Sequence, residues 1–432
     1  MNIKQLLGVA AVATTGLWAW ADAPSITLNR VQQRYPWNGL VDIDYTVSGV
    51  DDPADYYVRF TVTTNGASTG FACHEFLNDD TLLNASNGSY RVTWESASDL
   101  KKFFSKGVSV DADLVYSPGD KSDSPYAQYM IIDLSGGLTA TSYPVSHMTV
   151  AKSAIDATFN IDEYKLTKLV LRRIRAGTFI MGSPDDEEKT VPGSKAPQYQ
   201  HKETQHQVTL TKDYYIGVFP VTQQQYYQVM NANPSKFAGT KYPGFEKAPV
   251  ENLYYKHVRG ATKGLAVPIT GEVDEGTFLY NIRLRSGVDT LELPTAAQWE
   301  YAVRAGTTGS TYFGNNVIND TELLGRYCWY SDNSGNRTHS VGEKLPNPWG
   351  LYDMLGNTFE FCLDHVVART AGDCGTEAVV DPLVQNGPNI PMFGGSWGFG
   401  ADCLRCAMHF ASDATTASGG NQTGFRLANN LK

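Results

Sequence analysis

Hydrophobic and polar residues alternate along much of the first third of the chain. Between about residue 26 and residue 134, apolar side chains recur at every second position, for example in VDIDYTV over residues 41–47. Strict alternation is typical of strands that bury one face. Turn-forming pairs such as Asn87-Gly88 separate the alternating runs. The pattern therefore predicts several short antiparallel strands, together with one helix over residues 96–105.

A helical periodicity replaces this alternation in two later stretches. The first is LPTAAQWEYAVRAG, in which Thr295 is the expected N-cap, Gln298 its capping-box partner and Gly306 the C-terminal stop. A second helix is expected to begin after Thr222. The residues predicted on its buried side are Tyr226, Tyr227, Val229 and Met230.

The rest of the chain is rich in residues that form turns and loops, with 40 Gly and 20 Pro in total. Together the patterns predict an α+β protein. We expect an N-terminal β-sandwich of the immunoglobulin or fibronectin type over residues 24–150, and then a linker over residues 151–165. An irregular, loop-rich domain is expected over residues 166–432. Sandwiches of this kind usually act as spacers or binding arms.

The distribution of charge excludes one class of partner. The chain has 35 Lys and Arg residues against 45 Asp and Glu residues, which gives a formal net charge of −10. Its densest basic cluster is brief and consists of Arg172, Arg173 and Arg175. Because binding to a phosphate backbone needs an extended basic stripe, we expect no nucleic-acid partner.

The first residues have the pattern of an export signal. Lys4 precedes an apolar run over residues 6–20, and the alanines at 19, 21 and 23 suit a cleavage site. The run is shorter than the ~20 residues that a membrane anchor needs. We therefore expect residues 1–23 to be a signal peptide, with no transmembrane segment after cleavage. The mature protein is expected in the periplasm, at the cell surface or outside the cell.

Six cysteines are spread along the chain: Cys73, Cys328, Cys362, Cys374, Cys403 and Cys406. In an oxidising compartment they could pair, but six cysteines allow fifteen pairings, and their spacing does not choose among them. Cys403 and Cys406 form a C-x-x-C motif. No second such motif completes a zinc site, and the motif follows a Gly-rich turn instead of opening a helix. Cys73 is expected to be a buried, apolar thiol.

Seven short blocks of the second domain occur in the order seen in one known family. They are RRIRAGTFIMGSPDDE, HQVTLTKDYYIGVFPVTQQQYYQVM, ELPTAAQWEYAVRAG, YFGN, NPWGLYDMLGNTFEFCLD, FGGSW and TGFRLA. With these blocks, residues 166–432 resemble the formylglycine-generating enzymes and their sulfatase-modifying-factor relatives. The resemblance implies an irregular fold that is shared with the C-type-lectin-like variable proteins of diversity-generating retroelements. On that scaffold it implies copper-dependent cysteine oxidation, iron-dependent sulfoxide synthesis or ligand binding.

The copper-dependent branch of this family holds copper(I) with two cysteines that follow the GGS-aromatic motif. In this sequence Gly398 and Phe399 stand behind Trp397, where the first cysteine is expected. If the chain is an oxidase that acts on sulfatase cysteines, the remaining cysteines would form its copper pair. The residues of that conditional catalytic set are Cys403, Cys406 and Ser396.

A second alignment, without a gap, matches the non-oxidase relatives, which have the pattern W-x-x-x-A-x-x-C-R-S-A-x-R. On it, Leu404 replaces the expected cysteine and Cys406 the serine. The iron-dependent branch uses an H-x-x-x-H pair, which none of the eight histidines forms. His201 and His206 are instead expected to be solvated, and His365 to be a buried side chain.

The resemblance also implies a calcium site in the block DMLGNTFE. Its ligands would be a side-chain oxygen of Asp353, the backbone carbonyls of Gly356 and Thr358, and the carboxylate of Glu360. Alternatively, Asp353 and Glu360 cap local turns. A second calcium site of the family lacks its aspartate here, because Gly342 stands at that position.

Residues 398–423 show neither a two-residue nor a helical period, and they mix small, polar and isolated large side chains. Exposed loop residues of mixed type on a rigid scaffold are typical of a binding surface. In the retroelement-diversified proteins this segment is the variable ligand-binding region. The predicted ligand-binding residues are Trp397, Phe399, Asp402, Leu404, Met408, His409 and Phe410. We expect the ligand to be a protein or a glycan.

Three functions therefore stay open for the second domain. It is an exported, calcium-stabilised ligand-binding module, a copper-dependent oxidase of sulfatase cysteines, or a structural protein of the cell surface. The missing cysteine favours binding, because loss of one soft ligand should remove most of the copper affinity.

Overall fold

The computed structural model forms two compact units, one within residues 1–119 and the other running from residue 120 to residue 432. The predicted signal peptide at residues 1–23 and the predicted helix at residues 96–105 lie outside the described residues. The described residues are 24–33, 40–50, 56–64, 71–73, 87–95, 108–116, 129–148, 155–184, 187, 204–266, 269–317, 319–366, 377–385, 387–413 and 420–430.

The first unit is a sandwich of two three-stranded antiparallel sheets. Its strands are β1 (Ser25–Gln33), β2 (Leu40–Ser48), β3 (Tyr56–Thr64), β4 (Phe71–Ala72), β5 (Gly88–Glu95) and β6 (Val108–Tyr116). The strand orders are β1-β2-β5 and β4-β3-β6. Tyr45 of β2 packs against Phe60 of β3 with ring centroids 5.3 Å apart, so the apolar faces of the two sheets meet. The predicted β-sandwich is confirmed, and Cys73 is buried in it.

The second unit begins earlier than the alternating pattern predicts. Strand β7 (Tyr129–Asp133) pairs with β8 (Val145–Met148) and with β9 (Lys168–Ile174). The structure therefore corrects the predicted boundary at residue 150, because β7 and β8 hydrogen-bond within the sheet of the second unit. The predicted linker instead contains helix α1 (Ile155–Phe159) and most of α2 (Glu163–Leu166).

A six-stranded antiparallel sheet forms the centre of the second unit. It is completed by β12 (Tyr214–Gly217), β13 (Leu291–Glu292) and β19 (Ala428–Asn430), in the order β13-β19-β12-β9-β7-β8. Both faces of the sheet are covered, since Met130 and Ile132 enter one apolar cluster while Tyr129 and Ile131 enter another. Burial on both faces explains why β7 reads as a continuous apolar run.

Two smaller sheets complete the unit. Strands β10 (Gly177–Met181), β11 (His206–Leu210) and β15 (Val379–Val380) form one of them, in that order. The other contains β14 (Phe359–Phe361), β16 (Asn389–Phe393), β17 (His409–Asp413) and β18 (Thr423–Gly424), in the order β17-β16-β14-β18. Of the predicted ligand-binding residues, His409 and Phe410 lie in β17 of this second sheet.

The two helices predicted for the second unit are confirmed. Thr295 caps the helix that begins at Ala296 and forms a capping box with Gln298, and Thr222 forms the same box with Gln225. Tyr226 is buried as predicted, but the prediction for Tyr227 is wrong, because the next residue along a helix points about 100° away. The described α-helices that follow α1 and α2 are α3 (Gln223–Met230), α4 (Tyr255–Val258), α5 (Phe278–Ser286), α6 (Ala296–Arg304) and α7 (Thr321–Tyr327). The two predicted helices of this unit are α3 and α6.

Long loops join these elements, and the α+β, loop-rich architecture agrees with the prediction from glycine and proline content. Among the helices that the structure describes, none is both long enough and apolar enough to cross a bilayer.

Candidate functional site

The C-terminal segment from Phe393 to Asp413 turns back sharply after β16. Gly394 and Gly395 have φ angles of +96° and +74°, which favour glycine, and a Cβ atom on Gly395 would lie 2.8 Å from the Cys403 carbonyl oxygen. The chain then forms a short 3-10 helix over Ala401–Cys403 and returns as β17, paired with β16. The segment is therefore folded into the domain as regular structure.

The predicted exposure of this segment is wrong for most of the selected residues. The exposed fraction of the side chain is 8% or less at every one of five positions, namely Trp397, Asp402, Leu404, Met408 and His409. Leu404 enters the apolar cluster that contains Phe393 and the α6 residues, which explains why a segment without periodicity is still core. Residues 414–419 of the predicted surface lie outside the described residues.

Phe399 and Phe410 are the two selected residues that remain half-buried. Their rings lie 5.2 Å apart, and each ring packs edge-on against buried Phe359 at 5.1 Å between centroids. We call Phe359, Phe399 and Phe410 the aromatic trio. Aromatic pairs in this arrangement stabilise one another. The trio therefore presents two partly exposed rings on a fixed base.

The thiols that a copper site would need are sealed in the interior. Cys403 and Cys406 are 0% exposed, and neither is part of a disulfide. Burial raises the pKa of Cys406 to about 12, so the thiolate form that binds copper is disfavoured. Burial also raises the pKa of Cys328 and Cys362 far above the usual range for a thiol.

Among the described residues, no other cluster replaces these thiols as a metal site. Within the part of the chain that the structure describes, no three His, Cys, Asp or Glu side chains are placed to hold a metal ion together. None of the five cysteines in that part forms a disulfide, and Cys374 lies outside it.

A buried ionic cluster surrounds Cys406 and fixes the segment. The Arg405 guanidinium contacts the Glu187 carboxylate at 2.8 Å and donates to the Ser183 hydroxyl, while Arg304 pairs with Glu300 at 2.8 Å. All of these side chains are at most 7% exposed. Arg405 thus ties the C-terminal segment to the MGSPDDE block, more than 200 residues earlier in the chain.

The candidate calcium ligand Glu360 has a cationic partner within the chain. Its carboxylate accepts hydrogen bonds from Arg426 at 2.6 and 2.7 Å, and from the indole N–H of Trp299 at 2.7 Å. Arg426 and Glu360 are 0% exposed. Because the guanidinium neutralises this carboxylate, Glu360 offers a calcium ion little net charge.

The other carboxylate of the candidate calcium set is also engaged. Asp353 accepts the backbone N–H of Gly342 at 2.7 Å and the Asn357 side-chain amide at 3.3 Å. Burial raises its pKa to about 6. The Thr358 hydroxyl is buried and has no hydrogen-bond partner. The residues Asp353, Gly356, Thr358 and Glu360 therefore do not fit a calcium ion well, and the structure favours the alternative that Asp353 and Glu360 hold local turns.

The family's second calcium site is filled by protein. At Gly342, a Cβ atom would lie 2.5 Å from the Asn160 side-chain oxygen, so an aspartate there would require the Asn160 side chain to move. The Asn160 amide donates to the Gly342 carbonyl at 3.0 Å. This side chain occupies the space beside the glycine.

The histidines lie in separate places. His206 and His365 are buried, and one ring nitrogen of each lies within hydrogen-bond distance of a backbone carbonyl, so the expectation that His206 is solvated is wrong. Burial lowers the pKa of His365. His201 lies outside the described residues.

Sequence reasoning missed one buried acid near the segment. Glu251 is 0% exposed, has no cationic side chain bonded to it, and burial raises its pKa to about 7. It lies beside the loop that reaches Trp397, through the ring of Phe237. A single Glu between Val250 and Asn252 gives no periodic signal, so its burial could not be inferred from the pattern.

Comparison with known proteins identifies the family of the second unit. A family model described as a sulfatase-modifying factor enzyme 1-like domain matches residues 156–431. The chaperone protein LppX of Paenibacillus barcinonensis is 30% identical over 177 residues, which are 36% of this chain and 63% of LppX. The formylglycine-generating enzyme of Mycobacterium tuberculosis is 37% identical over 76 residues, which are 16% of this chain and 25% of the enzyme. The chain spans less than two thirds of the length of either relative.

Among solved structures, variable protein 1 of Treponema denticola matches 61% of this chain and 96% of its own, with 26% identity and a TM-score of 0.46.

We predict that Glu360→Gln lowers the free energy of unfolding of the second unit by about 3–5 kcal/mol, because the Arg426 charge would stay buried without its partner. Urea denaturation would measure the change. The matched control is Glu272→Gln, which removes an exposed pair with Lys263 at 3.6 Å and should have little effect. Equal, small losses in both variants would contradict the role assigned to Glu360.

We also predict that calcium leaves the thermal stability of the protein unchanged, because both carboxylates of the candidate set are already engaged. The measurement compares melting temperatures in EDTA and in millimolar calcium. A calcium-dependent rise in melting temperature that Asp353→Asn removes would show that this loop binds the ion, as the family resemblance implied.

Proposed function

Because the chain belongs to the family of sulfatase-modifying factor enzyme 1-like domains, we propose that it uses this domain as an exported ligand-binding module. The observation that carries the proposal is the state of the C-terminal segment. Its two thiols are 0% exposed, whereas Phe399 and Phe410 of the aromatic trio are only half-buried. Export is part of the proposal and rests on the signal-like pattern of residues 1–23.

The oxidase alternative needs a thiolate pair that copper(I) can reach. Cys403 and Cys406 are separated by Leu404 and Arg405, both of which are 0% exposed and fixed by packing or by the ion pair with Glu187. Access to copper would require this core to open. Since a buried thiol loses its proton only at high pH, the arrangement argues against metal-dependent oxidation at neutral pH.

A protein ligand suits the partly exposed rings better than an ionic one. Aromatic side chains supply contact area at low entropic cost and are enriched at protein interfaces. Phe399 and Phe410 are held by Phe359, so little further ordering is needed when a ligand docks. The proposed surface is therefore the described part of residues 398–423, with these two rings as anchors and calcium as no part of it.

The match to LppX favours a second candidate function, which is assistance to the folding of another exported protein. A chaperone role would use the same partly exposed rings, but it would accept many apolar sequences. A dedicated binding module would prefer one ligand. The two candidates can be separated by the range of sequences that the surface accepts.

The purified mature protein is expected to bind no copper(I) tightly and to leave cysteine in a Cys-x-Pro-x-Arg peptide unoxidised. Titration against a competing copper(I) chelator measures the first, and mass spectrometry of the peptide the second. Cys403→Ser is the control and should behave like the wild type. Tight, stoichiometric binding that is lost in this variant, together with turnover, would establish the oxidase alternative.

Selection of a phage-displayed random peptide library on the protein is expected to yield ligands that bind at least tenfold more weakly to Phe399→Ser, since a hot-spot ring contributes 2 kcal/mol or more. The control is Tyr227→Ser, which removes an exposed ring on α3 and should retain binding. Enrichment of one motif supports the binding module, whereas diverse apolar sequences support the chaperone candidate. Peptides that bind both variants equally well would contradict the proposed surface.

A further inference from the structure

A short loop after α3 lies against the proposed binding surface. We call residues 233–237 the strap. Two side chains of neighbouring elements hold it: Gln223 donates to the Phe237 carbonyl at 3.2 Å, and the Asn252 amide donates to the Pro234 carbonyl at 2.9 Å. Both bonds are neutral and reach backbone atoms, so they hold the strap without regard to pH.

Glu251 attaches the strap at two further positions. Its carboxylate oxygen Oε1 accepts the Phe237 N–H at 2.8 Å, and its own N–H donates to the Ser235 hydroxyl at 3.2 Å. The side chain is 0% exposed, and the second oxygen, Oε2, has no hydrogen-bond partner. A buried carboxylate with one unpaired oxygen is costly when it is ionised.

The strap contacts Trp397, which directly precedes the proposed surface, through the ring of Phe237, and Asn252 beside the strap contacts the surface itself. The Phe237 ring packs edge-on against Trp397 with centroids 5.2 Å apart, and the Trp397 indole N–H donates to the Asn421 carbonyl at 2.7 Å. Asn252, which holds the strap through Pro234, also donates its backbone N–H to the Gly420 carbonyl at 2.9 Å. Movement of the strap would therefore uncover the Trp397 end of the surface.

Among the described residues around Glu251, few charged groups shift its pKa. Burial is the strongest effect on its pKa; the N–H groups of Phe237 and Lys236 and the exposed Lys236 ammonium act in the opposite direction. The titratable side chains of the flanking segments include Tyr242, which packs on Phe237, and His257 of α4. Burial lowers the pKa of His257, which favours its neutral form. Neither residue acts electrostatically on Glu251.

We propose that Glu251 makes the strap a proton-sensitive cover for the Trp397 end of the binding surface, closed while Glu251 is protonated and loosened when it ionises. The importance of this cover for ligand binding rests on the proposed function. The movement of the strap itself does not.

The direction follows from linkage. With the strap closed, the pKa of Glu251 is about 7, above the ordinary glutamate value of 4.5 that a solvated side chain would approach once the strap opened. The closed form therefore binds the proton more tightly, and it is favoured at low pH. As the pH rises from about 4.5 to about 7, that preference is lost, and above this range it changes no further. Between pH 5 and pH 8 the opening equilibrium should rise on the order of 50-fold.

Hydrogen exchange of the Phe237 amide, measured without ligand and corrected for the intrinsic rate at each pH, tests the proposal. The wild type should show the rise between pH 5 and pH 8, and Glu251→Gln should show a flat profile. Asn252→Gly keeps the left-handed backbone at that position (φ +61°) but removes the Asn252 bond to Pro234. It should speed exchange about equally at every pH.

If exchange of the Phe237 amide in the wild type does not change with pH, the proposed proton-sensitive strap is wrong, even if the surface binds peptides. The same rise in Glu251→Gln would overturn the assignment to Glu251. If Glu251→Gln fails to fold, the pH midpoint of the wild-type exchange profile still tests the proposal. It is compared with the profile of Asn252→Gly, which should be faster than the wild type at every pH and parallel to it. Conversely, copper binding by the thiols would overturn the proposed function and leave the strap standing, so the two failures are distinguishable.

Discussion

The buried ion pair between Arg426 and Glu360 is the interaction on which the second unit depends. The guanidinium donates to carbonyls of Gly217 in β12 and of Tyr352 in the loop before β14, and Trp299 of α6 donates to the same carboxylate. One pair thus joins the six-stranded sheet, the four-stranded sheet and the longest amphipathic helix. Burying two charges is expensive, so these elements must meet in an arrangement that satisfies every donor and acceptor.

The same physics decides what the C-terminal segment can do. Arg405 needs Glu187 as Arg426 needs Glu360, and meeting that need draws residues 402–408 into the core. A segment held in this way cannot also present its two thiols to solvent. The polar framework that makes the fold specific therefore closes the place where an oxidase of this family would carry metal, and the proposed binding surface rests on the half-buried rings of Phe399 and Phe410.

Local signals in the sequence were sufficient for the strands of the sandwich and for both capped helices. The capping box of Thr295 and Gln298 involves residues three apart, so the sequence contains the whole interaction. Non-local contacts were not accessible in this way. Strand β7 is a continuous apolar run that follows the alternating strands of the sandwich, yet its partners are β8 and β9, and Leu404 is buried through contacts that only the folded chain creates. The misplaced domain boundary and the expected exposed loop both follow from this difference.

Two buried glutamates, Glu360 and Glu251, differ in whether the fold needs their negative charge. Glu360 has a guanidinium on both oxygens, so its charge is needed: a glutamine there would strand Arg426. Glu251 has no such partner, and a glutamine would accept the same Phe237 N–H without any charge to desolvate. Stability alone would therefore favour the amide at position 251. A carboxylate that costs stability near neutral pH, in contact with a strap that reaches Trp397, is best explained by its titration.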